Sequence, residues 1–111
     1  MPGNEEADRS LAMADEALAR LDVAAAVAYL SAAVRRLTED RECRAAAMAC
    51  VRLGEVLINF MGNATAGKTW FLRARRLVED EPPCVEQGYA AVAAMGCDVD
   101  DPAELLAATA A

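Results

Sequence analysis

The stretch GNATAGKTWFLRARRLV, residues 62–78, decides the fold, because it supports two incompatible readings. As a pattern, Gly62, Gly67, Lys68 and Thr69 satisfy G-x-x-x-x-G-K-[ST], the loop whose backbone amides cradle phosphates. That chemistry needs a strand before the loop, a helix after it and a distant acidic residue to hold Mg²⁺. As part of a periodic chain, the same residues open a helix. Gly62 stops the preceding helix in a left-handed cap and Asn63 caps the next one. Gly67, Phe71, Ala74 and Val78 then recur at the spacing of one buried face, with Ala66, Trp70 and Leu77 beside it. Val56 to Phe60, the only candidate strand ahead of the loop, continues a helical stripe that begins at Cys43. A second buried strand ending in aspartate is not visible in the chain. The helical reading is therefore preferred, and nucleotide binding through Gly62, Gly67, Lys68 and Thr69 is the alternative.

Upstream, Asn4 caps a first helix whose apolar face is Ala7, Leu11, Ala14, Leu18 and Leu21, with Glu5 and Glu6 in its first turn. Asp22 caps a second helix with Val23, Val27, Leu30, Val34 and Leu37 on its buried face. A short break at Leu21 and Asp22 turns the two into an antiparallel hairpin. A longer third helix carries Cys43, Ala46, Cys50, Leu53, Leu57 and Phe60 on one face, and Arg44, Arg52, Glu55 and Asn59 on the other. Its second small-residue face, Ala47, Val51, Gly54 and Ile58, admits another helix at close range. Downstream of residue 78, Pro82 and Pro83 end the fourth helix, which spans about 64–79. A fifth helix, about Val85 to Met95, uses Val85, Tyr89 and Val92 as its apolar face. Asp101 and Pro102 open a sixth, which looks cut off at Ala111.

Residues 21–40, LDVAAAVAYLSAAVRRLTED, overlay residues 62–80, GNATAGKTWFLRARRLVED. Asp22 meets Asn63, Ala25 meets Ala66, Tyr29 meets Trp70 and Ala33 meets Ala74; after one dropped residue, Arg35, Arg36 and Leu37 meet Arg75, Arg76 and Leu77. A repeat of this length signals a helical solenoid, in which neighbouring units complete one another's core. The expected fold is all-α, a right-handed stack of five to six helices in antiparallel pairs at about 4–38, 40–79 and 84–111, forming one domain.

The small residues near the first turn, the aromatic at Tyr29 or Trp70 and the alanine four residues later resemble the tetratricopeptide-repeat class with lengthened helices. Ala45, Ala46, Leu53, Gly54, Gly62, Trp70, Arg73, Ala74, Leu77, Pro82, Glu86 and Gly88 look like the helical-repeat regions of actinobacterial LuxR-type transcriptional regulators. That resemblance covers roughly residues 17–111. It implies a module that senses or transmits the binding of a partner, beside a signalling ATPase or cyclase module or a helix-turn-helix that this chain does not contain.

The composition agrees with a non-catalytic binding module. The chain of 111 residues is 56% hydrophobic but only 5% aromatic, so its core is built from closely approaching helices. A net charge of −7 opposes attraction to nucleic acid or anionic lipid. The acidic N-terminus is no signal peptide and no apolar run spans a bilayer, which points to a cytoplasmic protein. With no histidine and no C-x-x-C pair, Cys43, Cys50, Cys84 and Cys97 read as small buried residues, and no metal or cofactor is expected. The Asp98 to Asp101 run lacks the glycine and glutamate of a calcium loop. The basic cluster Arg73, Arg75 and Arg76, with Lys68, reads as a solvated face paired with Glu79, Asp80 and Glu81. Trp70 reads as a core anchor between two helices. If the first helix of each pair faces the groove, Arg44, Met48, Arg52, Glu55 and Asn59 are the residues that meet a protein or peptide. A third expectation is a homodimer through the unfinished C-terminal end, where Leu105 and Leu106 lack a following repeat.

Overall fold

A computed structural model describes residues 4–96 of the chain. The described residues contain no strand and form five helices: α1 (Glu5–Ala19), α2 (Val23–Glu39), α3 (Cys43–Met61), α4 (Ala64–Val78) and α5 (Val85–Gly96). The sixth helix expected from Asp101 and Pro102, with Leu105 and Leu106, and Cys97 and the aspartates of 98–101 lie outside the described residues.

Local chemistry sets the helix ends. The Asn4 carboxamide oxygen accepts from the Ala7 amide, the Asp22 carboxylate from Ala25 and the Asn63 carboxamide from Ala66, so at each of these three starts the cap satisfies one of the four amides that the helix leaves open. The turns between helices are built alike. Leu21 and Arg41 both stand in the left-handed region at φ 59°, as does Gly62 at φ 64°. After Leu21, the Asp22 amide reaches back to the Ala17 carbonyl at 2.8 Å; after Arg41, the Glu42 amide reaches the Leu37 carbonyl at 2.9 Å. This is the Schellman wrap, which satisfies carbonyls that the helix itself leaves open. Placing Leu21 in the turn corrects the expectation that it extends the apolar face of α1. Its side chain is 76% exposed.

The α4–α5 connection is longer and is held by one side chain. Cys84 is a poor cap, and Gln87 supplies what it lacks: its carboxamide oxygen accepts from the Cys84 amide at 3.2 Å, and its nitrogen donates to the carbonyls of Val78 and Glu81, both at 2.9 Å. A glutamine three residues into a helix reaching back in this way is half of a capping box.

Successive helices pack as neighbours, α1 on α2, α2 on α3, α3 on α4 and α4 on α5, and α5 returns to touch α3. The core is rich in alanine, with Leu30, Leu53, Val34, Val78 and Cys50 as its largest fully buried side chains. Ala46, Cys50, Leu53 and Leu57 on one face of α3, and Ala47, Val51 and Gly54 on the other, are buried, which makes α3 the central element. Phe60, expected to end that buried stripe, lies in the last turn of α3 and is 51% exposed. Gly67, Phe71, Ala74 and Val78 are buried as expected on α4. Trp70 is half-buried and packs against both clusters of the core, with the Arg73 guanidinium 5.1 Å from its ring centroid.

The closest approach is between α3 and α4. A Cβ built on Gly54 would lie 2.9 Å from the Gly67 carbonyl oxygen and 2.4 Å from the Phe71 ring. One built on Gly67 would lie 2.9 Å from the Gly54 carbonyl oxygen and 2.4 Å from Ile58. The two glycines face each other, and each is required by the backbone of the other.

On α5 the expected face is reversed. Ala90 and Ala94 are buried, whereas Val85, Tyr89 and Val92 are 70%, 59% and 58% exposed. The residues of α5 that join the core formed with α3 and α4 are Ala90 and Ala94, and the larger side chains face outward.

Candidate functional site

The phosphate-loop residues are brought together, but in helical geometry. Val56 to Phe60 belongs to α3, Gly62 is its left-handed terminus, and Gly67, Lys68 and Thr69 lie within α4. The Gly67 amide, which a phosphate loop would turn toward its ligand, donates to the Asn63 carbonyl at 3.1 Å. The Thr69 hydroxyl donates to the Thr65 carbonyl at 3.1 Å, the usual back-bond within a helix. The glycine that completes the motif serves helix packing, and no strand precedes it among the described residues.

The α3 stripe is positioned differently. Arg44, Glu55 and Asn59 are exposed, and Met48 and Arg52 are half-buried. Their spacing keeps all five on one side of α3, away from the Ala47 and Gly54 face that receives α4. Arg44 lines a shallow depression of about 490 Å³ together with Arg41, Cys43, Glu42, Glu81 and Glu86. That depression joins the start of α3 to the start of α5. Further along, the Arg52 guanidinium pairs with the Asp15 carboxylate of α1. The stripe therefore runs along α3 with α1 at one flank and α5 at the other. Arg52 already has a partner within the chain, which sequence reasoning did not foresee, because Asp15 is 37 residues away.

The charges nearby are arranged unlike the expectation. Among the described residues the ion pairs are Arg36 with Glu6, Arg36 with Asp40, and Arg52 with Asp15. Arg73, Arg75 and Arg76 make no ion pair with Glu79, Asp80 or Glu81, which corrects that reading. The basic residues lie along α4, whereas Glu79 is its C-cap and Asp80 and Glu81 stand in the turn beyond it. A second depression of about 370 Å³ between α1 and α2 is lined by Glu6, Arg9, Ser10, Arg35, Arg36 and Glu39, where mixed charge favours no one ligand sign.

The thiols are not equivalent. Cys50 is fully buried, whereas Cys43 and Cys84 are half-exposed, so only the first fits the expectation of a small core residue. Burial pushes the Cys50 thiol up from 9.0 to about 11, against a smaller pull downward from the Arg73 charge. The described residues hold no group of three or more histidine, cysteine, aspartate or glutamate side chains able to bind a metal ion. No helix among them is long and apolar enough to cross a membrane.

Comparison of the chain with protein-family models, with curated proteins and with solved structures gave no match.

Proposed function

We propose that the chain is a non-catalytic helical-repeat module that recognises a protein or peptide along the Arg44, Met48, Arg52, Glu55 and Asn59 stripe. In this reading the helix pairs stack as a right-handed tetratricopeptide-like solenoid, with α1, α3 and α5 as the first helices of successive pairs. The observation that carries it is the stripe's position, open to solvent and flanked on both sides by odd-numbered helices, through Asp15 of α1 and Glu86 of α5. The repeated left-handed turns at Leu21, Arg41 and Gly62 support it, because equal turns give equal hairpins. The mixed polar and apolar character of the stripe suits a protein surface better than a nucleic acid, given the net charge of −7. By resemblance, the module belongs in a LuxR-type transcriptional regulator in the cytoplasm, where it would pass on the binding of its partner.

The test is site-specific photo-crosslinking in cells from Glu55 and Asn59, with Glu16 on the outer side of α1 as control. A single protein captured at both α3 positions, lost in Arg44→Ala and absent from the control, is expected. Equal capture at Glu16 would overturn the placement. Titration with ATP or GTP and Mg²⁺ addresses the nucleotide alternative: no heat is expected, and micromolar binding abolished by Lys68→Ala would replace this reading.

A further inference from the structure

Charge is segregated along this chain. α4 carries four basic residues, Lys68, Arg73, Arg75 and Arg76, and no acidic one, although the net charge is −7. Arg76 is the last basic residue of the sequence, and every charged residue after it is acidic. With Gly67, Phe71, Ala74 and Val78 buried, the cations occupy the two edges and the outer side of the helix. One edge holds Trp70 and Arg73 and lies toward α2, since Trp70 packs against the cluster that contains Leu30. The opposite edge, turned away from α2, holds Lys68, Leu72 and Arg75 at i, i+4 and i+7, with Arg76 beside them. Leu72 is half-buried there and packs against the cluster to which α5 contributes Ala90 and Ala94. Arg75 and Arg76 are exposed and have no ion pair among the described residues.

The sequence that follows α5 is the chemical complement of this edge. Gln87 ties the start of α5 to the end of α4 through the Val78 carbonyl, and the 12 residues of α5, about 18 Å of helix, run back along α4. Gly96 therefore stands toward the start of α4, where Lys68 lies, and residues 97–111 begin from there. They bring Asp98, Asp100, Asp101 and Glu104 and no lysine or arginine. The span from Gly96 to Glu104 reaches at most about 28 Å, against about 10 Å of rise from Lys68 to Arg75, so the carboxylates have the length they need. Tethering also selects among acidic occupants. Surface ion pairs are individually weak, and a few of them hold only a partner that is already close. A segment of the same chain meets the edge at an effective concentration in roughly the millimolar range, whereas a second copy or another acidic protein meets it only at its own concentration. Nucleic acid and anionic lipid are in addition repelled by the net charge of −7.

We propose that the acidic run of residues 98–104 closes onto the Lys68, Leu72 and Arg75 edge of α4, with Arg76 at its margin, and so covers the chain's own basic helix. The contact is made on α4, away from the α3 stripe, and does not depend on what that stripe binds. It closes α4 to polyanions in the native chain and opens it when the carboxylates are neutralised or drawn off.

The experiment is paramagnetic relaxation in the full ¹⁵N-labelled chain, with Cys43, Cys84 and Cys97 changed to serine and a nitroxide attached at Ala103→Cys. The nitroxide is expected to broaden the amides of Lys68, Leu72 and Arg75. That broadening is expected to disappear in the neutral variant Asp98→Asn, Asp100→Asn, Asp101→Asn, Glu104→Gln, in the double variant Arg75→Gln, Arg76→Gln, and in about 1 M salt, where the screening length falls to about 3 Å. Circular dichroism of each variant, expected to be unchanged, separates loss of the contact from loss of the fold. Broadening that persists in the neutral variant and in salt would assign the contact to apolar packing and overturn the proposal. Broadening confined to α3 or α5, or none in α4, would overturn it as well. A mixed sample, in which the nitroxide is on chains without ¹⁵N, tests the remaining occupant: broadening of α4 there would give the edge to a second copy and sink the intramolecular contact.

Discussion

Two residues hold conformations that their side chains disfavour. Leu21 and Arg41 adopt φ 59°, where a Cβ crowds the following carbonyl and costs about 1–2 kcal/mol, while glycine carries no such penalty. Glycine's greater freedom in the unfolded chain takes back part of the gain. Leu21→Gly and Arg41→Gly are each expected to stabilise the fold by about 0.5–1 kcal/mol, read from the urea midpoint. A destabilised variant would mean that these side chains make contacts worth more than the strain. Cys50 carries a pH dependence of known sign. Its folded pKa of about 11 lies above the ordinary 9.0, so the folded state holds the proton more tightly. The associated stability, roughly 3 kcal/mol at most, is complete below pH 9 and is lost as the pH rises toward 11. Cys50→Ala should flatten that loss in alkaline unfolding curves, and Cys43 and Cys84 should alkylate well before Cys50 in the native chain.

At the scale of the element, the pairing of α3 with α4 rests on an absence of side chains. Gly54 and Gly67 each approach the other's carbonyl so closely that an added methyl would lie 2.9 Å from backbone oxygen, which cannot swing aside. Gly54→Ala also meets the buried Phe71 ring, whereas Gly67→Ala meets the ends of Ile58, a half-buried side chain with more room to move. Each substitution is expected to cost about 1–3 kcal/mol, with Gly54→Ala the larger, despite alanine's better helix propensity of about 1 kcal/mol. Thermal melts of the two variants beside Lys68→Ala would test this. If Gly67→Ala were neutral, the glycine would not be a packing residue, and its place in a phosphate-loop pattern would need another explanation.

At the scale of the whole molecule, ties between distant segments fix how the hairpins meet. The Asn4 carboxamide caps α1 with its oxygen and donates through its nitrogen to Asp40 and Glu42 in the α2–α3 turn. Arg36 and Arg52 add ion pairs from α2 and α3 to Glu6 and Asp15 of α1, but these lie at the surface, where each contributes at most about 1 kcal/mol. Asn4→Asp keeps the cap and replaces the donor by a third carboxylate beside two others. It is expected to lower stability by about 1 kcal/mol more than Asn4→Ser, which caps without the added charge. The excess should shrink on acidification and in high salt, since both weaken like-charge repulsion. Identical melts for the two variants would show that the link between α1 and the turn carries no weight.

The helices and most of their ends follow from local chemistry. Asn4, Asp22 and Asn63 have short polar side chains that reach the amide three residues on, Gly62 tolerates positive φ, and Gly67, Phe71, Ala74 and Val78 mark a buried face by spacing alone. Arg44, Glu55 and Asn59 of α3 were equally legible as exposed, because polar residues at helical spacing are costly to bury without partners, whereas Met48 and Arg52 are half-buried. What neighbours a residue across space is a different matter. Leu21 looked like one more apolar position until the turn took it, Arg52 was claimed by Asp15, and Ala90 and Ala94, not Val85, Tyr89 and Val92, form the buried side of α5. Periodicity records that a helix has an apolar face, but both sides of α5 are apolar. Only the tertiary packing decides which side is buried, and the alanine side is the one that joins the core formed with α3 and α4.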